Sequence, residues 1–132
     1  MDISELRRKP LAELIAMAEE LQLPATASRR RQDLIFHVER ALLEAGTPLE
    51  AEGTLELGRE SFGFLRSPDY SYLPGPDDIY VSQTQIKRFQ VKTGDTIRGQ
   101  VRPPKAWEKY LALLQVDSIN GLDPEAIKGR VA

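Results

Sequence analysis

A chain of 132 residues is long enough for one real core or two modest ones, and its 29% charged and 41% apolar residues exclude wholesale disorder. The absence of cysteine excludes disulfides and thiolate metal sites and fits a reducing cytoplasm. A net charge of −2 argues against indiscriminate binding to a phosphate backbone, so a nucleic-acid role has to rest on local patches and base contacts. No apolar run is long enough to span a membrane, and the N-terminus carries no signal-peptide pattern.

Residues 1–48 read as a compact three-helix unit. After Pro10, the residues Leu11, Leu14, Ile15, Ala18 and Leu21 form the i, i+3, i+4, i+7 stripe of an amphipathic helix. Pro10 suits a first helical position, and Pro24 bounds the far end. A further helix is expected after Ser28, a good N-cap, with Leu34, Ile35, Val38 and Leu42 on one side. Gly46 suits its C-cap, with Pro48 just beyond. Such a unit is marginal alone and is expected to pack on its neighbour. Arg29-Arg30-Arg31 falls at that helix's N-terminus, where the dipole disfavours cations and only Asp33 offsets them. A solvated face, a subunit contact and a phosphate contact are each compatible with this cluster.

From Gly53 the hydrophobic period changes to two. Strands are expected at 53–57, 61–66, 78–81, 95–102 and 110–116, with a short capped helix over 82–89. Turn chemistry separates them at Pro68-Asp69, Pro74-Gly75-Pro76, Thr93-Gly94-Asp95 and Pro103-Pro104. Five short strands with a helix after the third match the order of an OB-type barrel. The expected architecture is therefore α+β: helices over 1–48, a five-stranded OB barrel over 49–118, and a linker-like tail over 119–132.

Two of these strands conflict with an ordinary core pattern. Phe62, Phe64 and Arg66 share one face of their strand, while Gly63 and Leu65 share the other. In the next strand Asp78 and Tyr80 oppose Ile79 and Val81. Phenylalanine is usually core, but burying this face would also bury Arg66 and expose Leu65. Aromatic rings beside hydrogen-bonding groups suit unstacked bases instead. Cytosine offers an amine donor beside N3 and O2 acceptors, so Asp78 could accept from the amine while Arg66 donates to the acceptors. The plainer reading is a cross-strand Arg66–Asp78 salt bridge, and both can hold.

Signals for an enzyme fail one by one. Gly58 and Gly63 have the glycine spacing of a P-loop, but Phe64-Leu65 stands where Lys-Ser/Thr is required. Asp77 and Asp78, adjacent in a strand, would face opposite ways and could not act as a dyad. His37 is the single histidine and lacks the partners of a metal site, and neither Ser67 nor Ser82 has a nearby base.

The segments Ser61-Phe62-Gly63-Phe64-Leu65-Arg66-Ser67 and Gly75-Pro76-Asp77-Asp78-Ile79-Tyr80-Val81-Ser82 resemble the cold-shock-type OB domain of the bacterial Rho transcription termination factors. So do Lys92-Thr93-Gly94-Asp95-Thr96-Ile97, Val101-Arg102-Pro103-Pro104-Lys105 and Glu108-Lys109-Tyr110-Leu111-Ala112-Leu113-Leu114, while the opening helices resemble that family's N-terminal helical subdomain. The resemblance implies a primary site for pyrimidine-rich, cytosine-preferring single-stranded RNA along 61–66, with Ser61, Phe62, Gly63, Phe64, Leu65 and Arg66. Asp78, Ile79, Tyr80, Glu108, Lys109 and Tyr110 complete it. Phe64 would stack one base with Phe62 beside it, and Arg66 with Asp78 would read its edge. Tyr80, Glu108 and Tyr110 would enclose the neighbouring base.

Ala106-Trp107 stands where the family more often has a small or charged loop, and would alter the pocket rim or add a stack. Lys109 replaces a more usual arginine, and Gln115 a common basic residue. The resemblance further implies the N-terminal part of a cytoplasmic, homohexameric, RNA-dependent ATPase. In that case ATP and magnesium belong to an ATPase domain absent here, and this chain has no catalytic site, cofactor or membrane partner. Two rivals remain: a protein-interaction module using the aromatic face, and a free-standing cold-shock-type RNA chaperone.

Overall fold

The computed structural model describes residues 1–24 and 30–127. Three helices lead: α1 (Ile3–Arg7), α2 (Leu11–Glu20) and α3 (Arg31–Glu44). The Asp2 side chain caps α1 by accepting from the Ser4 amide, and Pro10 stands at the N-cap of α2, one position earlier than expected. Ser28 and Arg29 lie outside the described residues, and α3 begins from Arg30, which makes no side-chain capping bond. At its far end Gly46 takes φ +91°, open to glycine without strain. The Gly46 and Thr47 amides then donate to Leu43 and Leu42, closing a Schellman motif. Leu14, Ala18, Leu34, Ile35 and Val38 form the helical core, as the sequence stripes predict, joined by Leu6 of α1, while Leu11 of the predicted stripe is exposed.

Of the arginine cluster, Arg31 is structural. Its guanidinium donates to the carbonyls of Arg7 and Lys9 at 2.7 and 2.6 Å, at the C-terminal end of α1, where a cation is favoured.

The remaining elements are β1 (Glu50–Leu57), β2 (Gly63–Arg66), β3 (Ile79–Val81), α4 (Gln83–Phe89), β4 (Thr96–Arg102) and β5 (Leu111–Ile119). They close a barrel in the order β1-β2-β3-β5-β4, antiparallel except for β3 beside β5, so no strand edge is left free. Strict alternation in β4 puts Ile97, Gly99 and Val101 inside. The register of β4 against β5 shifts at Gly99, where a Cβ would lie 1.9 Å from the Gln115 carbonyl oxygen. Ser82 and Gln85 form a capping box at the start of α4, as expected of the helix after the third strand.

Up to Ile127 the tail is structured where a linker is expected, and 128–132 lie outside the described residues. β5 runs on to Ile119, and the chain reverses at Asn120 and Gly121, with φ of +53° and +78°. Leu122 then bridges back to Ile119, and a 3-10 turn at Pro124–Ile127 lies against β5 and α4. The physical reason is hydrogen bonding: the Asn120 amide donates to Thr96 at 2.7 Å and its side chain accepts from the Thr96 amide at 2.8 Å.

Helices and barrel are joined through α1. Ile3 is part of the barrel core, Leu6 is part of the helical core, and Leu42 packs against both.

Candidate nucleic-acid interface

β2 lies between β1 and β3, with Leu65 opposite Leu55 and Ile79, and Phe64 opposite Glu56 and Tyr80. The first set is buried, which leaves the second on the outer face. Gly63 permits the close approach of β1, since a Cβ there would lie 2.8 Å from Leu55 Cδ1 and 2.9 Å from the Glu56 carbonyl oxygen. β2 begins at Gly63, two residues later than expected. Ser61 takes a positive φ of 65° in the preceding turn and is exposed at the rim.

Phe62 still joins the face. Its ring lies 5.9 Å from Phe64 and 5.5 Å from Tyr80, centroid to centroid. Phe64 in turn stands 6.0 Å from Tyr80 and 4.8 Å from Tyr110, both edge to face. Tyr110 thus completes a four-ring cluster with Phe62, Phe64 and Tyr80. These four rings, with Trp107, Glu108 and Lys109, line an open cleft of about 390 Å³.

Arg66 runs beside the cluster, its guanidinium 5.4 Å from the Phe64 centroid. It donates to Asp78 Oδ2 and, at 3.2 Å, to Glu56 Oε2. The expected cross-strand pair is therefore present. Asp78 is only 2% exposed, however, where an open-face carboxylate was expected. It belongs to the turn before β3, where strand alternation does not apply: its amide donates to the Gly75 carbonyl, and Oδ2 accepts the Gly75 amide at 3.0 Å. Oδ1 is buried and has no hydrogen-bond partner among the described residues. Burial raises this carboxyl above its usual value, against the opposing pull of Gly75 and Arg66.

Asp77 faces elsewhere, because of the same turn. It accepts from Arg7 Nε at 3.0 Å and from the Tyr70 hydroxyl at 2.6 Å, and its carbonyl accepts from Arg7 at 2.8 Å. Glu39 lies fully buried in the same region, with neither carboxyl oxygen hydrogen-bonded among the described residues. Burial, and then Asp77, push its carboxyl well up. Sequence reasoning missed Arg7, Glu39 and Tyr70. The available signal was Glu39 standing four residues after Ile35, inside the apolar stripe of α3.

The loop from β4 to β5 supplies the last wall. Arg102 grips Glu108 with two bonds of 2.7 and 3.0 Å, and the Lys105 amide donates to Glu108 at 2.7 Å. Arg102 first, then that amide, hold the Glu108 carboxyl down at about 2. Arg102 was also missed; its place at the end of β4, on the outer face, was the signal. Of the twelve expected residues, Phe62, Phe64, Arg66, Asp78, Tyr80, Glu108, Lys109 and Tyr110 gather on or just beneath this side. Gly63, Leu65 and Ile79 point into the barrel and hold its register. Among the described residues no cluster of His, Asp or Glu could hold a metal ion, and no helix is long and apolar enough to cross a membrane.

Residues 51–125 match the family model described as Rho termination factor, RNA-binding domain, and residues 5–47 match Rho termination factor, N-terminal domain. Across 131 residues, 99% of the chain, the sequence is 50% identical to transcription termination factor Rho of Pseudomonas aeruginosa. It is 47% identical to that of Allochromatium vinosum and 46% to that of Escherichia coli. The chain spans 31% of the length of each of these relatives.

Proposed function

The chain belongs to the Rho termination factor family, and from that premise we propose that it captures single-stranded RNA, with a preference for cytosine, in transcription termination. The observation that carries this reading is the four-ring cluster of Phe62, Phe64, Tyr80 and Tyr110 beside a preformed Arg66–Asp78 pair. Aromatic faces accept any base, so they account for affinity. The ion pair accounts for choice. Arg66 would turn from Asp78 toward the N3 and O2 acceptors of cytosine, and in doing so uncover the buried Asp78 carboxylate to take the exocyclic amine. Uracil presents a carbonyl where cytosine presents the amine, and would leave groups mismatched at a cost of roughly 1–3 kcal/mol.

Glu108, fixed by Arg102, would close the neighbouring base position with Tyr80 and Tyr110. The chain would serve as the RNA-tethering part of a longer, ring-forming ATPase in the cytoplasm. Several copies would add by avidity what one copy lacks. ATP and magnesium would act outside this chain.

Titration with short oligo-C, oligo-U and oligo-A, followed by NMR shifts, tests the reading. Oligo-C is expected to bind tightest and to shift Phe64, Tyr80 and Tyr110. Equal affinity for oligo-C and oligo-A would remove the base-reading role of Arg66 and Asp78 and favour a cold-shock-type chaperone. Absence of binding to all three would favour a protein-docking face.

A further inference from the structure

We propose that Trp107 is a stacking platform for one further base, beyond those held by the four-ring cluster, and that Lys105 and Lys109 receive the phosphate leading to it. This rests on the RNA-binding reading. Trp107 is 79% exposed, more than any other large apolar side chain among the described residues. Tryptophan normally buries most of its ring, so an indole left in water needs a reason. It lines the same cleft as Phe62, Phe64, Tyr80 and Tyr110, yet among the described residues it makes no ring contact with any of them.

The loop that carries it is tied down on both sides of the residue. The Glu108 amide donates to the Lys105 carbonyl at 2.9 Å, the Lys105 amide donates back to the Glu108 carboxylate, and Arg102 ties that carboxylate to β4. The ammonium of Lys105 lies 5.8 Å from the indole centroid. Lys109 lines the cleft and makes no ion pair among the described residues. A flat π surface with the Lys105 ammonium over the ring and Lys109 in the same cleft matches one nucleotide, base and phosphate together.

Because Trp107 is the single tryptophan, its fluorescence reports on this position alone. The chain is titrated with CC, CCC and CCCC, following indole emission and, separately, the anisotropy of end-labelled oligonucleotides. CCC and CCCC are expected to quench the indole strongly and CC only weakly. Trp107→Ala should lower affinity for CCC by roughly 5- to 150-fold, the range for loss of one stacked base, and leave CC within about twofold. Trp107→Phe should restore most of the loss.

If Trp107→Ala binds CCC as well as the parent chain, the extra platform is overturned and the RNA reading stands. If it weakens CC and CCC equally, Trp107 shapes the rim instead, and the proposal fails. Failure of every oligonucleotide to bind the parent overturns both readings. Should Trp107→Ala fold poorly, quenching in the parent and the affinity of Trp107→Phe decide the matter.

Discussion

The buried cluster between helices and barrel and the aromatic face of β2 and β3 each centre on an aspartate paired with an arginine, and the two aspartates are consecutive. Arg7 and Asp77 are sealed, at 4% and 0% side-chain exposure, with Tyr70 supplying a further donor. Arg66 and Asp78 sit nearer solvent, the guanidinium 13% exposed, with Glu56 as a second acceptor and a ring beneath. An ion pair with no exchange partner contributes to the fold, because losing either member strands a charge in low dielectric. An ion pair beside open π surface and an alternative acceptor can part to admit a ligand. The same chemistry serves structure at one depth and recognition at another.

Arg7→Met should break the buried member of the comparison most severely. It strands Asp77 without its cation, and a loss of about 3–5 kcal/mol in urea denaturation is expected. A loss below about 1 kcal/mol would show that the cluster does not hold the helices to the barrel. On the aromatic face the expected effects fall on binding. Phe64→Ala should weaken every oligonucleotide by about 1–3 kcal/mol. Asp78→Asn should instead narrow the gap between oligo-C and oligo-U by a similar amount while retaining stacking. If both variants lose affinity uniformly, the division between stacking and reading is wrong.

Glu39 sharpens the contrast, since it is a buried carboxyl with no hydrogen bond among the described residues. Its folded pKa lies above the unfolded value, so its contribution is fully favourable below about 4.5 and is lost as pH rises toward the folded pKa. Glu39→Met should therefore stabilise by about 1–3 kcal/mol, and more at pH 8 than at pH 5. Equal gains at both pH values would mean that Glu39 does not titrate in this window.

The smallest effect is expected at Glu108. Its carboxyl is depressed to about 2, so the stability it lends is present above about 4.5 and fades as pH falls toward 2. Glu108→Gln should lower stability slightly at neutral pH by an amount that vanishes toward pH 2, flattening the acid limb, as thermal melts from pH 7 to pH 2 would show.

Much of the fold was legible from period and punctuation. The stripe through Leu34, Ile35 and Val38, the capping box of Ser82 and Gln85, and the alternation through β4 are consequences of local backbone geometry. The outward set of Phe62, Phe64 and Arg66 was legible for the same reason. Strand ends and the tail were less so, because the Asn120 bonds to Thr96 reach across the sheet.

Local pattern alone sets which side chains share a face: an aromatic and cationic side outward, an aliphatic side inward, since alternation depends only on neighbouring residues. Depth and partnership come from long-range packing. It sank Asp78 beneath Arg66, joined Arg7 to Asp77 across 70 residues, set Tyr110 against Phe64, and left Trp107 in water. Such contacts depend on where distant segments cross, and no local pattern records that.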